Sequence, residues 1–150
     1  MTKPLSLERF PLHLGLGARA VSQPEFTGME WYAAYAERHV ADGPEARLVS
    51  LYSFSENWTS WERHPVGDEA VICIAGEITL IQELPDRTES VTLHAGDYTI
   101  NPRGVWHTAD VANHATALFI TAGMGTEHRP RCAHTPQAGR ITSARLFDGP

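Results

Sequence analysis

Residues 60–80 read SWERHPVGDEAVICIAGEITL. Three side chains able to hold a cation, Glu62, His64 and Glu69, fall within eight residues, and the chain then turns apolar. Residues two apart in a strand face the same side. Glu62 and His64 therefore point together, with Trp58 and Ser60 on that face and Trp61 and Arg63 on the other. Pro65-Val66-Gly67-Asp68 forms a tight turn, and Glu69 opens the returning strand. Such a hairpin brings Glu69 beside Glu62 and His64, two oxygen donors and one nitrogen donor on one concave face. A fourth donor would complete a divalent site. His107 is the candidate, because NPRGVWHTADV (residues 101–111) is a Pro-Gly turn feeding a strand.

Outward from this stretch the chain keeps the same rhythm. ARLVSLYSF, EAVICIAG, EITLIQE, SVTLHA, DYTINP, VWHTADV and ATALFITAG are short β-branched or aromatic runs, separated by turn formers at Pro85-Asp86, Ala95-Gly96-Asp97 and Pro102-Arg103-Gly104. Short strands at this spacing predict a sandwich or barrel. Residues 1–26, with Pro4, Pro11 and Pro24, read as an extended arm with one or two short strands. One helix is predicted over about 28–41: Thr27 and Glu30 have capping-box spacing, Ala33, Ala34 and Ala36 favour helix, and Asp42-Gly43 ends it. From about residue 125 onward, Pro, Arg, Gly and His return, which predicts a tail covering an edge or reaching a neighbouring subunit.

Composition bounds the rest. A chain of 150 residues supports one domain with a real core. Hydrophobic content of 42% and charged content of 20% exclude wholesale disorder. A formal charge of -6 argues against nucleic acid or an anionic membrane as partner, since both want a basic face. No apolar run approaches the roughly 20 residues that cross a bilayer. Glu8 and Arg9 stand where a secretory leader would be apolar, so the expected location is the cytoplasm. Cys73 lies in an apolar run and reads as a small hydrophobe. Cys132 lies in a polar one, and without CxxC spacing the two do not suggest a cysteine zinc site.

The spacing of these residues resembles the two sequence motifs of the cupin superfamily, small β-barrels. The first motif is two histidines one residue apart, then three or four residues, Glu, six residues and Gly. Here Glu62 stands at the first histidine position, and His64, Glu69 and Gly76 match the others. The second motif is Gly, five residues, Pro-x-Gly, two residues, His, three residues and Asn. Gly96, Pro102, Gly104 and His107 match, and Val111 replaces the Asn. The resemblance implies an all-β fold, a double-stranded β-helix (jelly-roll) barrel with one N-terminal helix and flanking arms. As a single domain over 1–150, it would comprise an arm and helix at 1–43, a barrel at about 44–124 and a tail at 125–150. It also implies a homodimer, paired through strands or the N-terminal arm.

The resemblance further implies a divalent metal ion, Fe, Mn or Zn, on Glu62, His64, Glu69 and His107. Glu62 in place of histidine makes the set harder, or frees Glu62 to swing off and act as a base. Tyr52, Phe54, Trp58 and Phe119 are expected to line a pocket, Trp106 to pack outside the barrel and Arg103 to face solvent. His13, His39, His94, His114, His128 and His134 lack spacing that links them to the site, and His128 reads as part of a surface tail. The function expected is a metal-dependent enzyme acting on a small organic molecule, by oxygenase, isomerase, cyclase or lyase chemistry. A non-catalytic binding or sensor protein is the alternative.

Overall fold

The computed structural model describes residues 2–132. Among them are ten strands and one α-helix: β1 (Leu12–Leu14), β2 (Ala20–Ser22), α1 (Glu30–Arg38), β3 (Arg47–Phe54), β4 (Ser60–Arg63), β5 (Glu69–Glu83), β6 (Thr88–His94), β7 (Tyr98–Asn101), β8 (Trp106–Asp110), β9 (Ala115–Thr121) and β10 (Glu127–Pro130). The strands form one antiparallel jelly roll in the order β10-β4-β8-β5-β9-β3-β1-β2, with β6 and β7 also paired to β5.

β5 makes the barrel possible. Its first half pairs with β7 and β9, and its second half with β6 and β8. Between the halves the register with β9 shifts at Cys73/Ala75, a bulge that turns the strand. Gly76 follows with φ +72°, and a Cβ there would lie 2.0 Å from the carbonyl oxygen of His114. Glycine is therefore required at this corner for space as well as conformation.

Alternation along β5, β8 and β9 sends Val71, Cys73, Ile78, Leu80, Ala109, Ala117 and Phe119 inward, where Leu93 and Val111 join them. Each large aliphatic side chain buried here contributes about 1.5–3 kcal/mol. Cys73 is buried and free, and its burial pushes the thiol up; Cys132 is exposed and free. Val111, where the motif expects Asn, packs in the core, and its N–H donates to Asn57 Oδ1 at 2.8 Å.

The N-terminal arm forms two short strands, as its sequence predicts. β1 pairs with β2 and with β3, so the arm extends its own chain's sheet. The helix packs on the barrel: Trp31 is buried, stacks on Tyr35 and donates its indole N–H to the carbonyl of Pro24 at 3.1 Å, while the Tyr32 hydroxyl bonds that of Tyr52. α1 is shorter than expected. Gly28, at φ +137°, separates Thr27 from the helix, so the Thr27 hydroxyl donates to the Glu30 carboxylate and caps no backbone N–H. At the other end the α geometry stops at His39, φ -116°, and Val40–Glu45 is 3-10 turn interrupted at Gly43, φ +66°.

The predicted tail covers an edge, as expected, but does so as a strand. Residues 127–130 are strand β10, paired with β4 in the register Glu127↔Arg63, His128↔Glu62, Arg129↔Trp61. The strand covers the edge of β4, as a blunted edge requires. The rest of the tail, from 133 onward, lies outside the described residues. Among those described, no helix is long and apolar enough to cross a membrane.

Candidate metal centre

Glu62 on β4, His64 just after it, Glu69 at the start of β5 and His107 on β8 meet at the barrel mouth. One donor atom from each lies within 4.8 Å of every other. Pairing explains the convergence: Glu62 sits directly opposite His107 across β4 and β8, and the turn at 65–68 returns Glu69 to the same face. His64 Nε2 lies 3.3 Å from Glu69 Oε1, His107 Nε2 lies 3.3 Å from Glu69 Oε2, and His107 Nε2 lies 3.7 Å from Glu62 Oε2. His64, Glu69 and His107 are buried, and Glu62 is partly exposed.

The surroundings fix which atoms face the centre. The Thr126 hydroxyl donates its only proton to the carbonyl of Gly123 at 3.0 Å, so at 2.8 Å it accepts from His64 Nδ1–H. His107 Nδ1 faces the Val105 carbonyl at 3.3 Å, which can only accept. In its neutral form each ring therefore carries its proton on Nδ1 and turns the bare lone pair of Nε2 inward. Neither buried Nε2 has a hydrogen-bond partner, an arrangement that is costly without a cation. Glu69 is held at both oxygens: Thr121 Oγ1 donates to Oε1 at 2.7 Å, and Asn101 Nδ2 donates to Oε2 at 3.0 Å. The Asn101 amide is oriented in turn by Gln82, whose Nε2 donates to Asn101 Oδ1 at 2.9 Å and to the Ile100 carbonyl at 2.8 Å. Partners of this kind aim a ligand and raise its basicity.

Burial disfavours a charged His107, but without an ion the carboxylates of Glu62 and Glu69 outweigh it and raise its pKa to about 9, so a proton on Nε2 stands where a metal ion would displace it. Burial likewise resists ionisation of both carboxylates, and the imidazoles facing them hold both below the usual range. Two carboxylates around neutral imidazoles call for about two positive charges at the centre, and oxygen with imidazole nitrogen suits Fe(II), Mn(II) or Zn(II). The residues present fit a divalent ion.

Residues 55–123 match the cupin domain family. This segment is a cupin domain. Among solved structures it is similar to a cupin-2 domain protein of Shewanella frigidimarina, at 25% identity over 50% of this chain and 69% of that one, with a TM-score of 0.42. A cupin superfamily protein of Desulfitobacterium hafniense overlaps at 21% identity over 50% and 65%, with a TM-score of 0.43. The hydroquinone 1,2-dioxygenase of Sphingomonas overlaps at 15% identity over 50% and 59%, with a TM-score of 0.43. No curated protein matches the sequence.

Three of the four motif positions, Glu62, His64 and Glu69, line a cavity of about 430 Å3, within the range of small-molecule sites, and His107 is buried behind them. Tyr52 and Phe119 line it beside Glu62, His64 and Glu69. Phe54 and Trp58 pack on each other and on Phe119 and line an adjoining open groove that shares Tyr52, Glu62 and Phe119 with the cavity. Phe54 shares the inward face of β3 with Tyr52, but two residues displace it by about 7 Å along the strand. Trp106 lies outside the barrel between the guanidiniums of Arg63 and Arg129, and Arg103 is exposed, donating to the Pro65 carbonyl.

Two groups of residues join the cavity without a local sequence signal. His128, read as tail, faces Glu62 across β10 and β4, with Nε2 3.2 Å from Glu62 Oε1; this contact raises the His128 pKa. Strand pairing distant in sequence creates it, although the His-Arg-Pro run carries the alternation of a strand. His13, Tyr35 and His39, from the arm and the helix, also line the cavity.

Proposed function

We propose that this cupin binds one divalent metal ion through Glu62, His64, Glu69 and His107, and that it is a metal-dependent enzyme acting on a small organic molecule held in the adjoining cavity. The observation carrying this reading is the pair of buried, unpartnered Nε2 atoms of His64 and His107, aimed with Glu69 at one point. A bound divalent ion would supply Lewis acidity toward a carbonyl, enolate or similar ligand oxygen.

The protein's own residues have separable tasks. Glu69, held by Thr121 and Asn101, is a fixed ligand. Glu62 is divided, with Oε1 toward His128 and Oε2 toward the centre. That division suits a single-oxygen ligand whose second oxygen takes or returns a proton through His128. The hydroxyls of Tyr32 and Tyr52 bond each other, and burial raises both phenol pKa values, keeping them as neutral donors near the carboxylates. Phe119 and Leu48 give the same space an apolar wall.

The test is metal content of the purified protein after growth with added iron, manganese or zinc, followed by a screen of small organic acids, carbonyl compounds and phenols for turnover. One ion per chain and turnover lost in His64→Ala and His107→Ala support the enzyme. Stabilisation by a compound that is never converted supports the non-catalytic binder instead. For assembly and location we propose a cytoplasmic homodimer, and a monomeric mass by light scattering at micromolar concentration counts against the dimer.

A further inference from the structure

The cavity has a second polar end that lies outside residues 55–123. Register places it. His13 is directly opposite Leu48, Leu48 opposite Thr121, and Thr121 opposite Glu69, across β1, β3, β9 and β5. Opposed residues in antiparallel strands share a face, so this row runs along the inner wall from one polar cluster to the other. Three strand spacings of about 4.8 Å separate the backbones of His13 and Glu69 by roughly 14 Å. Leu48 and Thr121 line the cavity between them.

The protonation logic at this end differs from that at the metal centre. Arg19 donates to both oxygens of Asp42 at 2.8 Å, so Asp42 is an acceptor, and His13 Nε2–H donates to Asp42 Oδ2 at 2.7 Å. The neutral ring then offers a bare Nδ1, which takes the only hydroxyl proton of Tyr35 at 2.7 Å. With that proton committed inward, Tyr35 offers the cavity lone pairs alone. His39 behaves alike. The Gln23 Oε1 that accepts from Arg38 at 3.3 Å also faces His39 Nε2 at 2.9 Å, so the His39 proton sits on Nε2 and Nδ1 is bare. His13 is fully buried, and His39 stacks on it with centroids 3.6 Å apart. The backbone is fitted to the cluster: a Cβ at Gly15 would lie 2.6 Å from Asp42 Oδ2 and 3.0 Å from His13 Nε2.

We propose that the Tyr35–His13–Asp42 relay, with His39, is a recognition site for a hydrogen-bond donor, so that the ligand of this cupin is a small molecule with an oxygen-donor end, an apolar middle and a hydroxyl or amino group at the other end. This rests on the metal reading above for the first end only. A ligand hydroxyl donating to Tyr35 completes an unbroken chain of donors from ligand to Tyr35, His13 and Asp42, a cooperative arrangement. A carboxylate or ether at the same place meets only lone pairs and is rejected.

The experiment uses zinc-loaded full-length protein and straight-chain carboxylic acids of graded length. Each length is supplied as the parent acid, the terminal alcohol, the terminal amine, the terminal methyl ether and the diacid, and affinity is read by calorimetry. At the matching length the alcohol or the amine binds about ten-fold or more tighter than the parent, and the ether and diacid do not; which of the two leads identifies the donor. Tyr35→Phe lowers that preference, and Tyr35→Phe combined with His39→Ala brings it to near unity, while zinc content stays unchanged. A preference that survives the double substitution belongs to the metal end and overturns the inference. So does the absence of any donor preference in wild-type protein, which needs no variant to read. Zinc content of the same sample separates the two ideas: loaded protein without donor preference sinks this inference alone, whereas protein that takes up no zinc sinks the metal reading.

Discussion

The two ends of the cavity are built from the same residue types and differ in one respect, the fate of the imidazole lone pairs. His64 and His107 each spend Nδ1 on a neighbour and leave Nε2 buried without a partner, facing carboxylates more than 3 Å away. His13 has both nitrogens engaged at 2.7 Å, and its Asp42 is already neutralised by Arg19. His13, His39 and Asp42 are close enough together to hold an ion. His13 has no lone pair left and Asp42 is already paired with Arg19, so His39 Nδ1 alone is bare, too few donors for an ion. Proximity of donors is thus a poor guide to a metal centre, and unspent valence is a better one.

That contrast can be broken by substitution. The largest expected effect is at the open-valence end: His64→Ala or His107→Ala lowers metal affinity by more than about 100-fold, beyond the 10–100-fold typical of losing a supporting partner, while His39→Ala leaves metal content unchanged. Elemental analysis of the three variants checks this. At the satisfied end, His13→Ala leaves Asp42 and Tyr35 without their partner and opens a cavity. It destabilises the fold by about 2–4 kcal/mol without changing the metal content, read by denaturant titration beside elemental analysis.

A smaller effect sharpens the first end. Asn101→Ala removes the donor to Glu69 Oε2 and weakens metal binding by about 10–100-fold, with Glu69 still present; competition against a metal-sensing dye measures it. The smallest effect concerns acid. The hydrogen bond from His13, then Arg19, holds Asp42 below its ordinary 3.8. A depressed folded-state value means that this carboxylate's contribution to stability is present above 3.8 and is lost as pH falls below it. Asp42→Asn flattens that part of the acid-stability curve, and unfolding curves between neutral pH and about pH 3 show whether it does.

The proposed metal end was legible in the sequence because strand geometry is local. Alternation put Glu62 and His64 on one face, and PVGD returned Glu69 to them. The spacing of Gly96, Pro102, Gly104 and His107 tied in the second half. The hands that steady the ligands were not legible. Thr126, Thr121 and Asn101 reach them through pairings or loops that only the closed barrel creates, and His128 needs β10 to add itself to β4. The second polar end was hidden for the same reason: its donors come from the arm, the helix and the 3-10 turn, and meet only because β1 pairs with β3. The helix was legible as an element but misjudged at both ends, because Gly28 takes positive φ where helix was expected to start and His39, at φ -116°, ends the α geometry before the expected stop at Asp42-Gly43.

Anomalous diffraction from crystals of iron-, manganese- or zinc-loaded protein tests the central claim most directly, because it weighs both clusters in one map. The account predicts a single strong peak among His64 Nε2, His107 Nε2, Glu69 and Glu62 Oε2, and none between His13, His39 and Asp42. A peak at the second cluster, or full metal loading with no peak at the first, contradicts it.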